Sequence, residues 1–331
     1  AVNAEPPEFE LFCIEEPIEA VRAVDHRGVD VTEEILNIDR TYAGATEPDH
    51  RFIGLAEEHF VEMDFGDRLK GVLPGTRLVL FVSGWVEYGY STTNFAASQA
   101  GMHLQAPSIA VWRDGEWVEL FSEVGYPAGI RHTMTLELTD KVLPSDSKLR
   151  IWTNMEIYWD RIFIAPVLDD VDLSIKETSV SSADLHFLGY PKEYSPDGHH
   201  PMLYDYASVD RTIPWKMMGG MYTKYGRVTE LVSQADDCYV IMGPGEELTL
   251  KFPADAFGPI PNGYRRSFIF KSDSYCKDMD LCSAYPQTVE PLPFHGMSEY
   301  PYPDREKYPD DDMHNRYRAR FNTRRVLQPD N

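Results

Sequence analysis

The chain is poor in positive charge for its size: 31 lysines and arginines stand against 54 aspartates and glutamates in 331 residues, a formal charge of −23. Such a balance repels phosphate backbones and anionic headgroups, so neither nucleic acid nor a membrane surface is an expected partner. No apolar run approaches the roughly 18–20 residues of a membrane span, and no membrane insertion is expected. The opening A-V-N-A-E-P-P-E is not a charged-then-apolar leader. G-x-S-x-G is absent, and so are a Gly-rich phosphate loop and a dinucleotide fingerprint, which argues against the common nucleotide enzymes and serine hydrolases.

Cysteine is scarce too. Only Cys13, Cys238, Cys276 and Cys282 occur, without a second C-x-x-C or a nearby histidine pair to complete a zinc site. Cys276 and Cys282 lie in Y-C-K-D-M-D-L-C, spaced to close a small disulfide loop; two reduced thiols are the alternative.

What is present is β-forming. A hydrophobic content of 43%, with 12% aromatics, is enough for well-filled cores. Phe60–Phe65 alternates apolar and acidic residues as a half-buried strand does, and Arg77–Trp85, after the turn Leu73-Pro74-Gly75, is apolar enough for a buried central strand. Asp114-Gly115 between Ser108–Arg113 and Glu116–Phe121 is a strong hairpin signal. Thr133–Leu138, Lys148–Thr153 and Ile157–Ile164 add further strands. In the second half, strands are expected at Val171–Ser179, Asp184–Gly189, Asp237–Met242, Glu247–Phe252 and Arg266–Lys271, with an irregular tyrosine-rich excursion over Tyr190–Trp215.

The expected class is therefore all-β, with two antiparallel sandwich or jelly-roll-like units and long ordered irregular segments. The expected divisions are an N-terminal strand/extension over 1–50, a first unit over 51–170, a second over 171–287, and a proline/aromatic strap with a basic tail over 288–331. The strap, T-V-E-P-L-P-F-H-G-M-S-E-Y-P-Y-P, is too proline-rich for helix or central strand and too rich in rings for a disordered linker. Within it, His295 can hydrogen-bond the backbone, and Glu290 could orient it. The basic tail, His314–Arg325, is expected to fold back on an acidic body.

Three places could carry chemistry. On a strand through Thr153–Phe163, Asn154, Glu156, Tyr158 and Asp160 would share one face. That mixture suits a sugar- or calcium-binding sandwich or a buried polar network, and Glu156 with Asp160 could alternatively act as general acid and base. The loop Ser83–Asn94 offers Trp85, Tyr88, Tyr90 and Asn94 as a ligand platform, with capping of the core by Trp85 and Tyr88 as the alternative. Asp273, Asp278 and Asp280 recur at the short spacing of calcium loops, without the glycine and terminal glutamate of an EF-hand. Calcium is the only cofactor this suggests.

Several strings resemble a known group: A-V-D-H-R-G-V-D-V-T (23–32), N-F-A-A-S-Q-A-G (94–101), G-Y-P-A-G-I-R-H-T-M-T-L (125–136), T-N-M-E-I-Y-W-D-R-I (153–162), Y-S-P-D-G (194–198), P-W-K-M-M-G-G-M-Y-T-K-Y-G (214–226) and the strap. In these the chain resembles the C-terminal region of bacterial FG-GAP/VCBS repeat proteins that carry an ASPIC/UnbV segment, loosely related to cartilage acidic proteins. The resemblance implies an extracellular or cell-surface setting and an upstream repeat domain as partner, and it supplies no catalytic residue. The calcium-binding aspartate loops of those repeats are not in this chain, so they cannot be carried over. The expected function is a non-catalytic binding or assembly module for carbohydrate or protein. The alternatives are a glycan-acting hydrolase or lyase using paired carboxylates, and a structural subunit of an extracellular filament or complex.

Overall fold

A computed structural model describes residues 11–327 apart from Pro74, Ile130, Asp169, Asp170 and Asp172. The ends of the expected extension and tail, 1–10 and 328–331, and Pro74 of the expected turn lie outside the described residues. The fold is mostly β, built from several antiparallel sheets, and the chain divides into two compact units, residues 11–172 and 173–327.

The first unit contains β1 (Ile18–Glu19), β2 (Arg22–Asp25), β3 (Ala43–Gly44), β4 (Leu55–Asp64), β5 (Leu78–Val86), helix α1 (Ser91–Gln99), β6 (Ser108–Arg113), β7 (Glu116–Phe121), β8 (His132–Glu137), β9 (Lys148–Met155) and β10 (Ile157–Pro166). One sheet runs β1-β10-β5-β8 with β3 also on β10; the other runs β2-β4-β9-β6-β7. Their inner faces share one core, in which Val61, Met63, Leu149 and Ile151 of the second sheet meet Leu80, Val82, Ile157 and Trp159 of the first. This is a β-sandwich. Residues 18–44, within the expected N-terminal strand/extension, supply three strands to these sheets, because short edge strands are completed by partners distant in sequence. Asp114 and Gly115 both have positive φ, 50° and 89°, the geometry of a two-residue hairpin turn.

Strand β5 is buried along all nine residues because both of its faces are covered. Leu78, Leu80, Val82 and Val86 enter the main core. On the other face Val79 and Phe81 pack with Phe163, Ala165 and Val167 beneath Phe12 and Ile14. His59 of β4 is wholly buried, its Nε2 2.9 Å from the Met155 carbonyl oxygen. Burial, chiefly, holds its pKa below the ordinary 6.5.

The second unit is built from smaller pieces: β11 (Ser182–Phe187), β12 (Tyr190–Tyr194), β13 (Leu203–Asp210), β14 (Gly220–Tyr222), β15 (Gly226–Arg227), β16 (Glu246–Lys251), helix α2 (Asp312–Phe321) and β17 (Arg324–Val326). They form a three-stranded sheet, β15-β11-β16, and two pairs, β12-β13 and β14-β17. The tyrosine-rich excursion is thus partly a hairpin. The expected strands at Val171–Ser179, Asp237–Met242 and Arg266–Lys271 have suitable side chains, but their described residues join no sheet. Helix α2 closes the small core with Tyr317 and Phe321 against Leu185 and Val228, and Asp311 caps it by accepting from the amides of Met313 and His314. The basic tail does fold back: Arg324 pairs with the buried Glu246 at 2.7 Å, and β17 pairs with β14.

The strap is ordered and pinned at three points. Lys277 donates to the carbonyls of Thr288 and Val289 at 2.6 and 3.0 Å, with the rings of Tyr285 and Tyr300 beside its ammonium. Glu290 accepts from the Met221 amide at 3.0 Å and from Thr288 Oγ1, so it does not orient His295. His295 instead lies between two carboxylates, with Nδ1 2.6 Å from Asp237 Oδ1 and Nε2 2.8 Å from Asp273 Oδ2. Burial alone would lower its pKa, but the hydrogen bonds and charge of Asp237 and Asp273 outweigh that and hold it above 6.5.

The two units therefore respond to pH in opposite senses. His59 has a depressed folded pKa, so its contribution is complete above about 6.5 and is lost as pH falls below that value. His295 has a raised one, so its contribution is complete below about 6.5 and is lost as pH rises through the folded value. Hydrogen exchange measured by mass spectrometry from pH 5 to 9, with intrinsic rates corrected, should show β4 and β9 losing protection toward acid, and residues 288–297 losing it toward alkali. Replacement of His295 by Gln should abolish the alkaline loss and leave the acid loss in place.

Candidate functional site

The candidate residues of the first unit gather at one end of the sandwich, where β9 runs into β10. Glu156 is the corner: its amide donates to Gly54 O at 2.9 Å and its carbonyl accepts from Glu87 N at 3.0 Å. Its carboxylate accepts from the Tyr158 hydroxyl at 2.8 Å and from the Gly54 amide at 3.4 Å. Trp85 and Tyr158 are register partners on β5 and β10, and their rings stack at 4.5 Å and 18°. Tyr42 meets both edge-on, at 5.9 and 6.4 Å. Trp85 is only 5% exposed, so it is the floor of this end rather than part of an open platform. Burial and the Glu156 carboxylate push the Tyr158 phenol well above its ordinary pKa, keeping it a neutral donor.

Two loops meet over this floor with almost no spare space. Gly54 has φ +90°, and a Cβ on it would lie 2.4 Å from the Gly89 nitrogen. A Cβ on Gly89 would lie 2.5 Å from Asn94 Oδ1 and 2.8 Å from Ile53 O. Asn94 donates from Nδ2 to Gly89 O at 3.2 Å and so ties α1 to the loop. The rings left facing solvent are Tyr88 (45% exposed), Tyr90 (57%) and Phe95 (55%). Tyr126 joins them edge-to-face with Tyr88 at 6.3 Å.

The shared face expected for Asn154, Glu156, Tyr158 and Asp160 is broken twice. The chain changes sheet at Glu156, and β10 bulges against β5 between Trp159 and Arg161, so strict alternation ends at both places. Asn154 stays in the other sheet, where it holds the loop before β6 by donating to His103 O at 2.8 Å and accepting from Gln105 N at 2.7 Å. Asp160, the bulged residue, is fully buried. Its Oδ1 accepts from Asp39 N at 3.1 Å, its Oδ2 has no hydrogen-bond partner, and Arg131 Nη1 lies 4.0 Å away. Burial, foremost, raises its pKa. Asp160 is therefore closed to solvent, while the Glu156 carboxylate is held by Tyr158 and the Gly54 amide.

In the acidic loop of the second unit each carboxylate is engaged by a neighbour. Asp273 binds His295, while Asp278 accepts from the Asp280 amide and Asp280 from the Cys282 amide, each stabilising its own turn. No cluster of three or more ligand-type side chains suited to a metal occurs among the described residues. Cys276 and Cys282 are separate exposed thiols rather than a disulfide. A 290 Å³ cavity lined by Met221, Glu290, Leu292, Tyr302, Tyr308 and Arg318 lies in this unit. Its charged groups are engaged already, Glu290 by the Met221 amide and Arg318 by Asp310 at 2.7 Å.

Sequence reasoning found Tyr88, Tyr90 and Asn94 but missed Phe95, Tyr126 and Tyr42. The string F-A-A-S-Q in α1 signals Phe95 only through its weak amphipathicity, and nothing local links Tyr126 to Tyr88. The tight loop junction makes a sharp prediction. Gly54→Ala meets backbone and a positive φ together, and should lower stability by about 2–4 kcal/mol in urea unfolding of the whole chain. Asn94→Ala should cost only about 1 kcal/mol. No protein family model matches the chain, and neither does any curated protein.

Proposed function

We propose that the chain is a non-catalytic binding module and that the ring-lined end of its first unit receives carbohydrate. The observation that carries this reading is the set of exposed rings, with Tyr88 and Tyr90 on the loop packed closely at Gly54–Gly89, Phe95 on α1, which Asn94 ties to that loop, and Tyr126 edge-on to Tyr88. Sugar C–H faces pack on such rings, and a preorganised platform avoids the entropic cost of ordering loops on binding. The burial of Asp160 weighs against the glycan-hydrolase alternative. The extracellular or cell-surface setting belongs to the same proposal and rests on the resemblance of the motif strings.

On a panel of neutral and acidic oligosaccharides the protein should bind at least one class with a dissociation constant in the micromolar to millimolar range, without releasing reducing ends. Tyr88→Ala and Tyr90→Ala should each weaken that binding by about three- to tenfold, the equivalent of roughly 0.5–1.5 kcal/mol per ring, with unchanged circular dichroism. Absence of binding across the panel, or equal affinity of both variants, would sink the reading.

A further inference from the structure

Two neighbouring histidines of the first unit, His26 and His59, carry buried ring nitrogens that make no hydrogen bond among the described residues. His59 of β4 is wholly buried, and its Nε2 lies 2.9 Å from the Met155 carbonyl oxygen. A carbonyl oxygen only accepts, so Nε2 carries the ring proton and Nδ1 is left as a bare lone pair. That Nδ1 is buried and, among the described residues, without a partner. Leaving a buried acceptor unmatched costs stability, so the position calls for an explanation. The adjacent ring, His26, follows β2, its centre 6.3 Å from that of His59 and its plane tilted by 58°. Its side chain is 13% exposed. Both of its nitrogens are buried without a hydrogen bond, although Nε2 lies 3.0 Å from Glu57 Oε1. The turn that carries it is fixed by Asp25, which accepts from the Arg27 and Val29 amides at 2.9 and 2.8 Å.

A metal-bound imidazole donates its second N–H to a carbonyl or carboxylate and turns the other nitrogen to the ion. His59 already has the first half of that arrangement in Met155 O. What else is present restricts the ion. Three ligating side chains do not converge on one point among the described residues, so the four-ligand set of a structural zinc is not offered here. Two imidazole nitrogens suffice for copper(I), a cation with a filled d shell that two donors on opposite sides commonly hold. With about 2 Å from metal to nitrogen and about 1.2 Å from nitrogen to ring centre, two rings facing one ion stand about 6.3 Å apart. That is the separation of His26 and His59, and a tilt between the planes is free because each ring can turn about the common axis. We propose that His26 and His59 form a two-coordinate site for copper(I), His59 binding through Nδ1 and His26 through a ring nitrogen. The Glu57 carboxylate beside His26 favours a cation there, and the ion enters past His26, the partly exposed ring. This is independent of carbohydrate binding by the loops of the same unit.

The test uses the full chain with its exposed thiols, Cys276 and Cys282, alkylated so that they do not compete. Copper(I) is titrated without oxygen against bathocuproine disulfonate as the competing chelator. One equivalent should bind, and X-ray absorption should show two nitrogen neighbours at about 2 Å and no sulfur. Replacing the partly exposed ring, His26→Gln, should weaken binding by at least about a hundredfold and leave the thermal transition of the metal-free chain unchanged. Nitrogen NMR of the rings gives a second readout in the unaltered chain: the His59 Nδ1 resonance should move on adding copper(I), and Nε2 should keep its proton. A sulfur neighbour in the absorption spectrum, binding that His26→Gln leaves within about threefold, or an unmoved Nδ1 resonance would each overturn the proposal. So would zinc(II) binding at these two histidines as tightly as copper(I), since the site would then hold more ligands than two.

Discussion

The continuity of Lys148–Pro166 is the constraint on which the first unit depends. One stretch of chain is a central strand of one sheet up to Met155 and of the other from Ile157. The residue between, Glu156, is fixed on both sides by backbone bonds to Gly54 and Glu87. Because the two strands are joined without a loop, the sheets must converge at this end, and Trp159 is carried into the shared core just beyond the corner. The loops at 53–54 and 87–90 are then forced together, which explains why glycine occupies both points of closest approach. The rings of the platform stand where they do as a consequence of that convergence.

Much of the sandwich was legible in the sequence because its signals are local. The Asp114-Gly115 turn, the alternation of β4 and β9 and the apolar run of β5 each report on their own few residues, and each appears at nearly the expected bounds. The candidate face was legible only in composition. Glu156 and Asp160 lie two strand periods apart, and nothing local in T-N-M-E-I-Y-W-D-R-I marks a sheet change at one and a bulge at the other. Both irregularities are imposed by pairing with β5, some seventy residues away. The histidine clamp was hidden for the same reason: Asp237 lies 58 positions from His295, whereas Glu290, the near neighbour, is engaged elsewhere.

The second unit shows the other limit of pattern reading. Asp237–Met242 and Arg266–Lys271 have the side chains of strands, but a strand needs a partner as well as a propensity. Near Asp237 the carboxylate and backbone bonds of Asp237 and the Tyr317 hydroxyl on Tyr239 O replace a ladder. The strap and helix α2, both from the last forty-odd residues, supply the contacts that a second sheet supplies in the first unit. A chain rich in acid thus uses its few cations at points of closure, with Lys277 on strap carbonyls and Arg324 on buried Glu246.

The pairing of β1 with β10 also bears on how the protein is made. Ile18 lies against Ile164 and Glu19 against Phe163, so β1 finds its place only after nearly the whole first unit has been synthesised. At roughly 5–20 residues per second that interval lasts on the order of 7–30 seconds. During it Ala20, Ala23 and Ile35, all buried in the finished unit, have no core to enter. Within this unit β1 is therefore among the last strands to find its partner, and its residues must be kept from other contacts until residue 166 has emerged.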